Sequence, residues 1–520
     1  MAKMKKYTTT GIAAMFTITL LILSTGCKKL DENLYSVADN TNFYQNKDQV
    51  MAAYVLPYSF LQTHIYQVHF ALQEFPTDEA VVPVRYGYID QEGAWIRLHQ
   101  HTWTSTDGWI LAEWQNLFQA IGYCNSFIDA IKDKDVSSFG LPISREQMIA
   151  EIKMVRALHY YWALSDFKNI PIVEHTGVIN PPPSPSADVF AFIEKELKEN
   201  IPLLGEKGSA GWYGHFTKSA ARALLAKLYL NASVFTGKDR WQDCAATCDE
   251  IISSGNYQLD EHWNDPFKAH NELSNENIYV VPFDASNAQQ FNFTEQNFHE
   301  NILFDKYGVS YYGWHKISTQ ESFYDLYKAN DARINQWVVG PQTYTDENGE
   351  EQPVLTWGGD PMVVTPQIDM LINYDGGEAQ GAMNMKYEIE YGALENMNND
   401  MVVFRLADIY YMKAEALMRA AGGNATQEAV ELVNMVRKRN FEAGSADAGY
   451  TTATLTLNEL LDERGREFSY EMFRREDLIR FGKYNNAWWE KKVTDKKYEA
   501  YPIPFDVLTA NPALKQNDGY

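Results

Sequence analysis

KSAARALLAKLYLNASVFTGKDRWQDCAATCDEIISS, residues 218–254, carries the pattern on which the fold turns. Ala221, Leu224, Leu225, Leu228 and Ala232 recur three and four residues apart, the period of one face of an α-helix. Gly237 interrupts the pattern, and Trp241, Ala245, Cys248 and Ile252 then make the apolar stripe of a partner helix. Small residues lie where the two helices would face each other. Phe404–Ala421 and Gln427–Asn440 repeat the arrangement around a Gly-Gly-Asn break. A hairpin of this kind buries only its inner face. It needs neighbours to stack on, so several of them predict a solenoid-like scaffold.

Each pair resembles a tetratricopeptide unit of ~34 residues. Working outward, helices are expected at Asp48–Gln62, around Trp114, Leu117, Phe118, Ile121, Asn125 and Ile128, and at Arg145–Asp166. Another follows PPPSPS (181–186), whose prolines block a helix until Ala187. Stretches 67–110 and 256–400 differ in kind. They are rich in Tyr, Trp, Gly, Asn and Asp, lack helical periodicity and hold short strand-like runs such as Ile278–Phe283. Loops this long in a compact domain are usually functional. The expected fold is therefore mostly α, a single domain over 46–520. Its helical scaffold covers about 46–66, 111–254 and 402–484, and irregular binding-loop regions cover about 67–110 and 256–400.

The N-terminus reads as an export signal. Lys3, Lys5 and Lys6 precede an apolar run from Gly11 to Leu23, too short for a bilayer core that needs ~20 residues. Ser24, Thr25 and Gly26 then lead into Cys27, which resembles a bacterial lipobox with the cysteine acylated. The expectation is a signal peptide over 1–26 and a lipidated tether over 27–45, with acyl chains on Cys27 as the membrane anchor. The net charge is −24, and loss of the three lysines takes it to −27. An acidic surface of that size argues against a nucleic-acid partner. Cys124, Cys244 and Cys248 are too few for a disulfide framework, and Cys244 and Cys248 share a helix face as core residues.

Toward the C-terminus the residues become recognisable. FRLADIYYMKAEALMRAAG (404–422), ERGREFSYEMFRREDLIRFGKY (463–484) and YPIPFDVLTANPALKQNDGY (501–520) together resemble the SusD/RagB family of outer-membrane nutrient-binding lipoproteins. WQNLFQAIGYCNSFID (114–129), VRALHYYWALSDFKNIPIV (155–173) and TKSAARALLAKLYLNA (217–232) agree in order. The resemblance implies tetratricopeptide units supporting a ligand face of inserted loops. It also implies a SusC-like TonB-dependent barrel as partner, over which the lipoprotein acts as a lid. The implied location is the outer surface of the outer membrane.

A sugar ring offers an apolar face and a rim of hydroxyls, which flat aromatics and a few polar groups answer. The stretch TDEAVVPVRYGYIDQEGAWIRLHQHTW (77–103) and the stretch KYGVSYYGWHK (306–316) have that composition. Family ligand sites draw aromatics from comparable loops. The expected stacking residues are Trp95 and Trp314, then Tyr86, Tyr88 and Tyr311, with Arg85 and Asp78 as polar partners. Trp103, Trp109 and Trp114 are read as core. The ligand class expected is an oligosaccharide, the alternative a peptide.

No HExxH, GxSxG, P-loop or EF-hand pattern is present, so neither an enzyme nor a cofactor is expected. His99 and His101, an HxH pair on an expected strand, are read as structural. Glu463, Arg466, Glu467 and Glu471 sit at helical spacings and are read as ion pairs.

Overall fold

Thr217, Thr426 and Thr456 each stand directly before a helix. Each side chain accepts the backbone N–H three residues on, from Ala220, Ala429 and Glu459. Asn46 and Ser144 do the same for Gln49 and Gln147. Such caps satisfy one of the amide groups a helix start leaves unpaired. The computed structural model describes residues 44–520. The expected signal peptide, Cys27 and the tether up to residue 43 lie outside the described residues.

Eight capped or loop-bounded helices form the scaffold: α1 (Lys47–His64), α2 (Gly108–Ile131), α3 (Arg145–Phe167), α4 (Ser186–Asn200), α5 (Lys218–Leu230), α6 (Trp241–Ser253), α7 (Leu406–Ala420) and α8 (Gln427–Arg437). Each packs on the next in chain order. Then α9 (Leu457–Phe468) packs against α7, and α10 (Arg474–Arg480) against α9. Residues 46–520 form one compact unit. Among the described residues no helix is long and apolar enough to cross a membrane.

The helix pair quoted first is present, with its second stripe rotated. On α6 the buried residues are Cys244, Thr247, Cys248 and Ile251; Trp241, Ala245 and Ile252 are only half-buried. The reason is that α6 lies between α5 and α7, and contact on two sides turns a different face inward. Cys124, Cys244 and Cys248 are all free and buried.

Phe404, expected to start a helix, belongs instead to a strand. The chain leaves the scaffold after α6 through β1 (Asn277–Val281) and returns to α7 through β2 (Met401–Arg405). The two pair antiparallel, Met401 opposite Val281 and Arg405 opposite Asn277. All ten side chains are buried, Asn277 and Arg405 being the polar ones, so both faces of the ribbon are covered. Everything between, residues 282–400, is an insertion entered and left at adjacent points. It carries short strand pairs, Trp337–Val338 with Met383–Asn384 and Thr343–Thr345 with Glu351–Pro353, around a core of Phe298, Leu303, Val354 and Met383.

The other expected loop region, 67–110, is more helical than its composition predicts. A π-turn at Ile65–His69 carries α1 onward into a helical turn at Phe70–Glu74, and Ala94–Gln100 is a further helix. His99 lies in that helix and His101 caps it; neither is on a strand. Both are buried against backbone carbonyls, His99 on Trp489 and His101 on Pro76. Alternating polar and aromatic residues hid the helix because it is short and buried on several sides.

Buried charge joins the insertion to the scaffold. Glu463 on α9 contacts Arg333, Arg437 and Arg466; Glu467 contacts Arg333, Arg405 and Arg439; Glu471 contacts Arg405 and Lys386. Burial alone would push the Glu463 carboxyl up. Arg333, Arg466 and Arg437 outweigh it and hold it at about 2, and Arg464 and Arg480 likewise hold Asp477 at about 2. A carboxyl with a depressed folded pKa contributes stability above its unfolded pKa and loses it as pH falls through the folded value. Stability is therefore expected to fall steeply from about pH 4.5 to about pH 2, read as the urea midpoint at stepped pH. A midpoint constant across that interval would contradict the ion-pair assignment. Glu74, pushed up by burial to about 8, has the opposite sign and has finished acting above this window.

Candidate functional site

Gly313 explains why the aromatic segment 307–316 takes the course it does. A Cβ added there would lie 2.2 Å from the Phe298 carbonyl oxygen, so no other residue fits without moving backbone. With the backbone drawn in, His315 N–H donates to the Phe298 carbonyl at 3.0 Å and Trp314 N–H to that of Glu295 at 2.7 Å. Side chains then alternate along the extended segment. Trp314 is turned out, 57% exposed, into a cavity of about 620 Å³.

Four segments line this cavity: 82–91, the start of the 94–100 helix, 314–316 and Trp357. Tyr86, half-exposed, packs on Trp357 with ring centroids 5.7 Å apart, and Trp357 is also half-exposed. Glu378 fixes both: it accepts the Tyr86 hydroxyl at 3.0 Å and the Trp357 backbone N–H at 2.6 Å. The Trp357 ring N–H donates to Glu300 at 2.8 Å. Tyr88 is exposed on the rim.

The polar groups are equally well placed. Lys316 Nζ sits 4.5 Å over the Trp95 ring and 5.9 Å from that of Trp314, and pairs with Asp90 at 3.2 Å. Arg85 donates to the carbonyls of Gly377, His315 and Gln380 and to the Ser318 hydroxyl. It has no carboxylate partner within salt-bridge distance among the described residues, and burial pushes its pKa down to about 9. His315 lies in the same wall with both ring nitrogens unpartnered. Burial, with Arg85 and His299 beside it, holds that ring neutral, so it offers one donor and one acceptor.

Five of the seven expected residues line the cavity: Arg85, Tyr86, Tyr88, Trp95 and Trp314. Trp95 does so as floor rather than platform. It is 3% exposed, its ring N–H is taken by Asp90 at 2.8 Å, and Phe75, Trp109 and Lys316 occupy its surroundings. A ring so enclosed leaves no face for a solute, because its helix turns it toward the scaffold. Arg85 is likewise a brace between loops. Tyr311 is elsewhere: the alternation that turns Trp314 outward packs Tyr311 against the insertion's core. Asp78 is consumed by Arg474, which donates to both its oxygens at 2.7 and 2.8 Å. Trp103 and Trp114 are buried, and Trp109 is half-buried against Trp95. Sequence reasoning missed Trp357, whose only signal is a tryptophan before a Gly-Gly turn in an irregular segment.

Residues 254–520 match the model described as SusD family. The chain belongs to the SusD family. Residues 30–230 of this SusD-family chain match a further model, described as starch-binding associating with outer membrane. The starch-binding protein SusD of Bacteroides thetaiotaomicron is 26% identical, over 88% of this chain and 86% of that protein. The SusD-like protein P25 of Formosa agariphila is 24% identical over 94% of both. Among solved structures, surface glycan-binding protein A from Bacteroides thetaiotaomicron, in complex with laminarihexaose, aligns with a TM-score of 0.71 at 19% identity. That match covers 91% of this chain and 99% of the other. The SusD-like fold is therefore shared along nearly the whole described chain.

Proposed function

We propose that this protein is a cell-surface lipoprotein that binds an oligosaccharide and delivers it to a SusC-like TonB-dependent outer-membrane barrel, acting as its lid. One observation carries the reading. Two half-exposed tryptophans, Trp314 and Trp357, open onto a single cavity of about 620 Å³ with polar groups in its walls. Flat rings receive the C–H faces of sugars, while Gln91 and Lys316 are placed to meet hydroxyls. The relatives named for starch and glycan binding support the same ligand class.

The test is calorimetry of the soluble chain with oligosaccharides of α- and β-linked glucose beside a peptide panel. Saturable binding to an oligosaccharide is expected, and binding to peptides alone would replace this reading. For the anchor, Cys27→Ala is expected to move the protein from the membrane pellet to the soluble fraction; retention in the pellet would count against acylation. Co-purification of the barrel with a tagged chain tests the partnership.

A further inference from the structure

Helix α1 does not stop at His64. Its backbone widens into the π-turn Ile65–His69, where the Phe70 N–H reaches back to the Ile65 carbonyl, and α-helical geometry then resumes. An α-helix would set residues five apart on different faces. The π-turn, with its five-residue hydrogen-bond step, aligns them. His64 and His69 consequently point to one place, and Glu113 of α2 meets them there. His64 Nε2 lies 2.9 Å from Glu113 Oε2 and His69 Nδ1 lies 2.9 Å from Oε1, all three side chains at most 3% exposed.

A fourth group stands beside the cluster. Asp166 of α3 is fully buried, and its Oδ2 has no hydrogen-bond partner while lying 4.0 Å from His69 Nδ1. Its other oxygen is held by Gln73 at 2.9 Å and Arg475 at 3.2 Å, so the carboxylate is aimed, not loose. A buried carboxylate oxygen with nothing to accept is costly unless a cation lies near it.

We propose that His64, His69 and Glu113 hold a divalent metal ion of the zinc class. Two imidazoles and a carboxylate are a normal donor set for that ion, and bonds of 2.0–2.2 Å in a tetrahedron put neighbouring donors about 3.3 Å apart. The three donors lie within 4.8 Å of one another, with each imidazole 2.9 Å from Glu113. Asp166, held by Gln73 and Arg475, stands 4.0 Å from His69 Nδ1, outside the donor set. The ion ties α1 to α2 across the π-turn. His64 Nδ1 is bare with or without the ion and decides nothing. None of the three residues lines the tryptophan cavity, so the site is independent of sugar binding.

The test uses the soluble chain, expressed with zinc sulfate in the medium and dialysed exhaustively. Elemental analysis is expected to find about one zinc per chain, falling to near zero in Glu113→Gln, whose amide keeps the size of the side chain. Wild-type protein refolded from denaturant with zinc is expected to melt higher than the same protein refolded with EDTA. Refolding with cobalt chloride is expected to give the visible absorption of a tetrahedral cobalt centre. Wild type without bound metal, with one Tm in both refolding conditions and no cobalt absorption, would overturn the proposal. So would zinc retained at full stoichiometry in Glu113→Gln. If Glu113→Gln does not fold, the wild-type measurements decide.

Discussion

Arg405→Ala is expected to remove about 3–5 kcal/mol of folding stability, the range for breaking a buried charge pair from one side. Arg405 lies at the end of β2, where the insertion rejoins the scaffold. Its guanidinium reaches Glu276 at 2.8 Å, Glu467 at 2.9 Å and Glu471 at 2.8 Å, and every one of these side chains is at most 1% exposed. Truncation leaves three buried carboxylates short of a donor. Arg439 still contacts Glu276 and Glu467, and Lys386 still contacts Glu471, so the cost stays below the sum of three broken pairs. The measurement is the urea midpoint and slope against wild type. Arg222→Ala, which breaks the exposed pair with Glu250, is the control and is expected to cost less than about 1 kcal/mol. Equal small losses in both would show that the buried network does not hold the insertion in place.

The second large effect is on binding. Trp314→Ala and Trp357→Ala are each expected to weaken oligosaccharide binding by about 1–3 kcal/mol, by analogy with bases stacked on aromatic side chains. That is a loss of affinity of about fivefold to 150-fold. Both rings are exposed already, so their truncation leaves no interior void and the fold should be unaffected. Trp95→Ala is different in kind. Its ring is enclosed, and its removal is expected to cost about 3–5 kcal/mol of stability through the cavity it leaves. Calorimetry and melting on the same three variants separate the roles. Full affinity in both Trp314→Ala and Trp357→Ala would remove the cavity as the sugar site.

The scaffold was legible because its information is local. Leu224, Leu225 and Leu228 recur at a helical period and Gly237 marks a stop; each signal spans only a few residues. The charged run 463–480 was legible as ion pairing for the same reason, although its partners Arg333 and Lys386 come from the insertion. The candidate site was legible only as a neighbourhood. Exposure of an aromatic depends on which neighbour claims its face, and that neighbour is distant in sequence. Lys316 covers Trp95, Glu378 fixes Trp357 and Arg474 consumes Asp78. His64 and His69 gave no signal because their spacing is wrong for an α-helix and right only for a π-turn.

The antiparallel ribbon of β1 and β2 makes residues 282–400 a cassette. A segment whose ends are already clasped can be lengthened, shortened or exchanged without re-threading the helices. Grafting a relative's segment onto this frame is nevertheless not free of conditions. The graft must bring cations equivalent to Arg333 and Lys386, or the recipient's glutamates are left stranded beneath it.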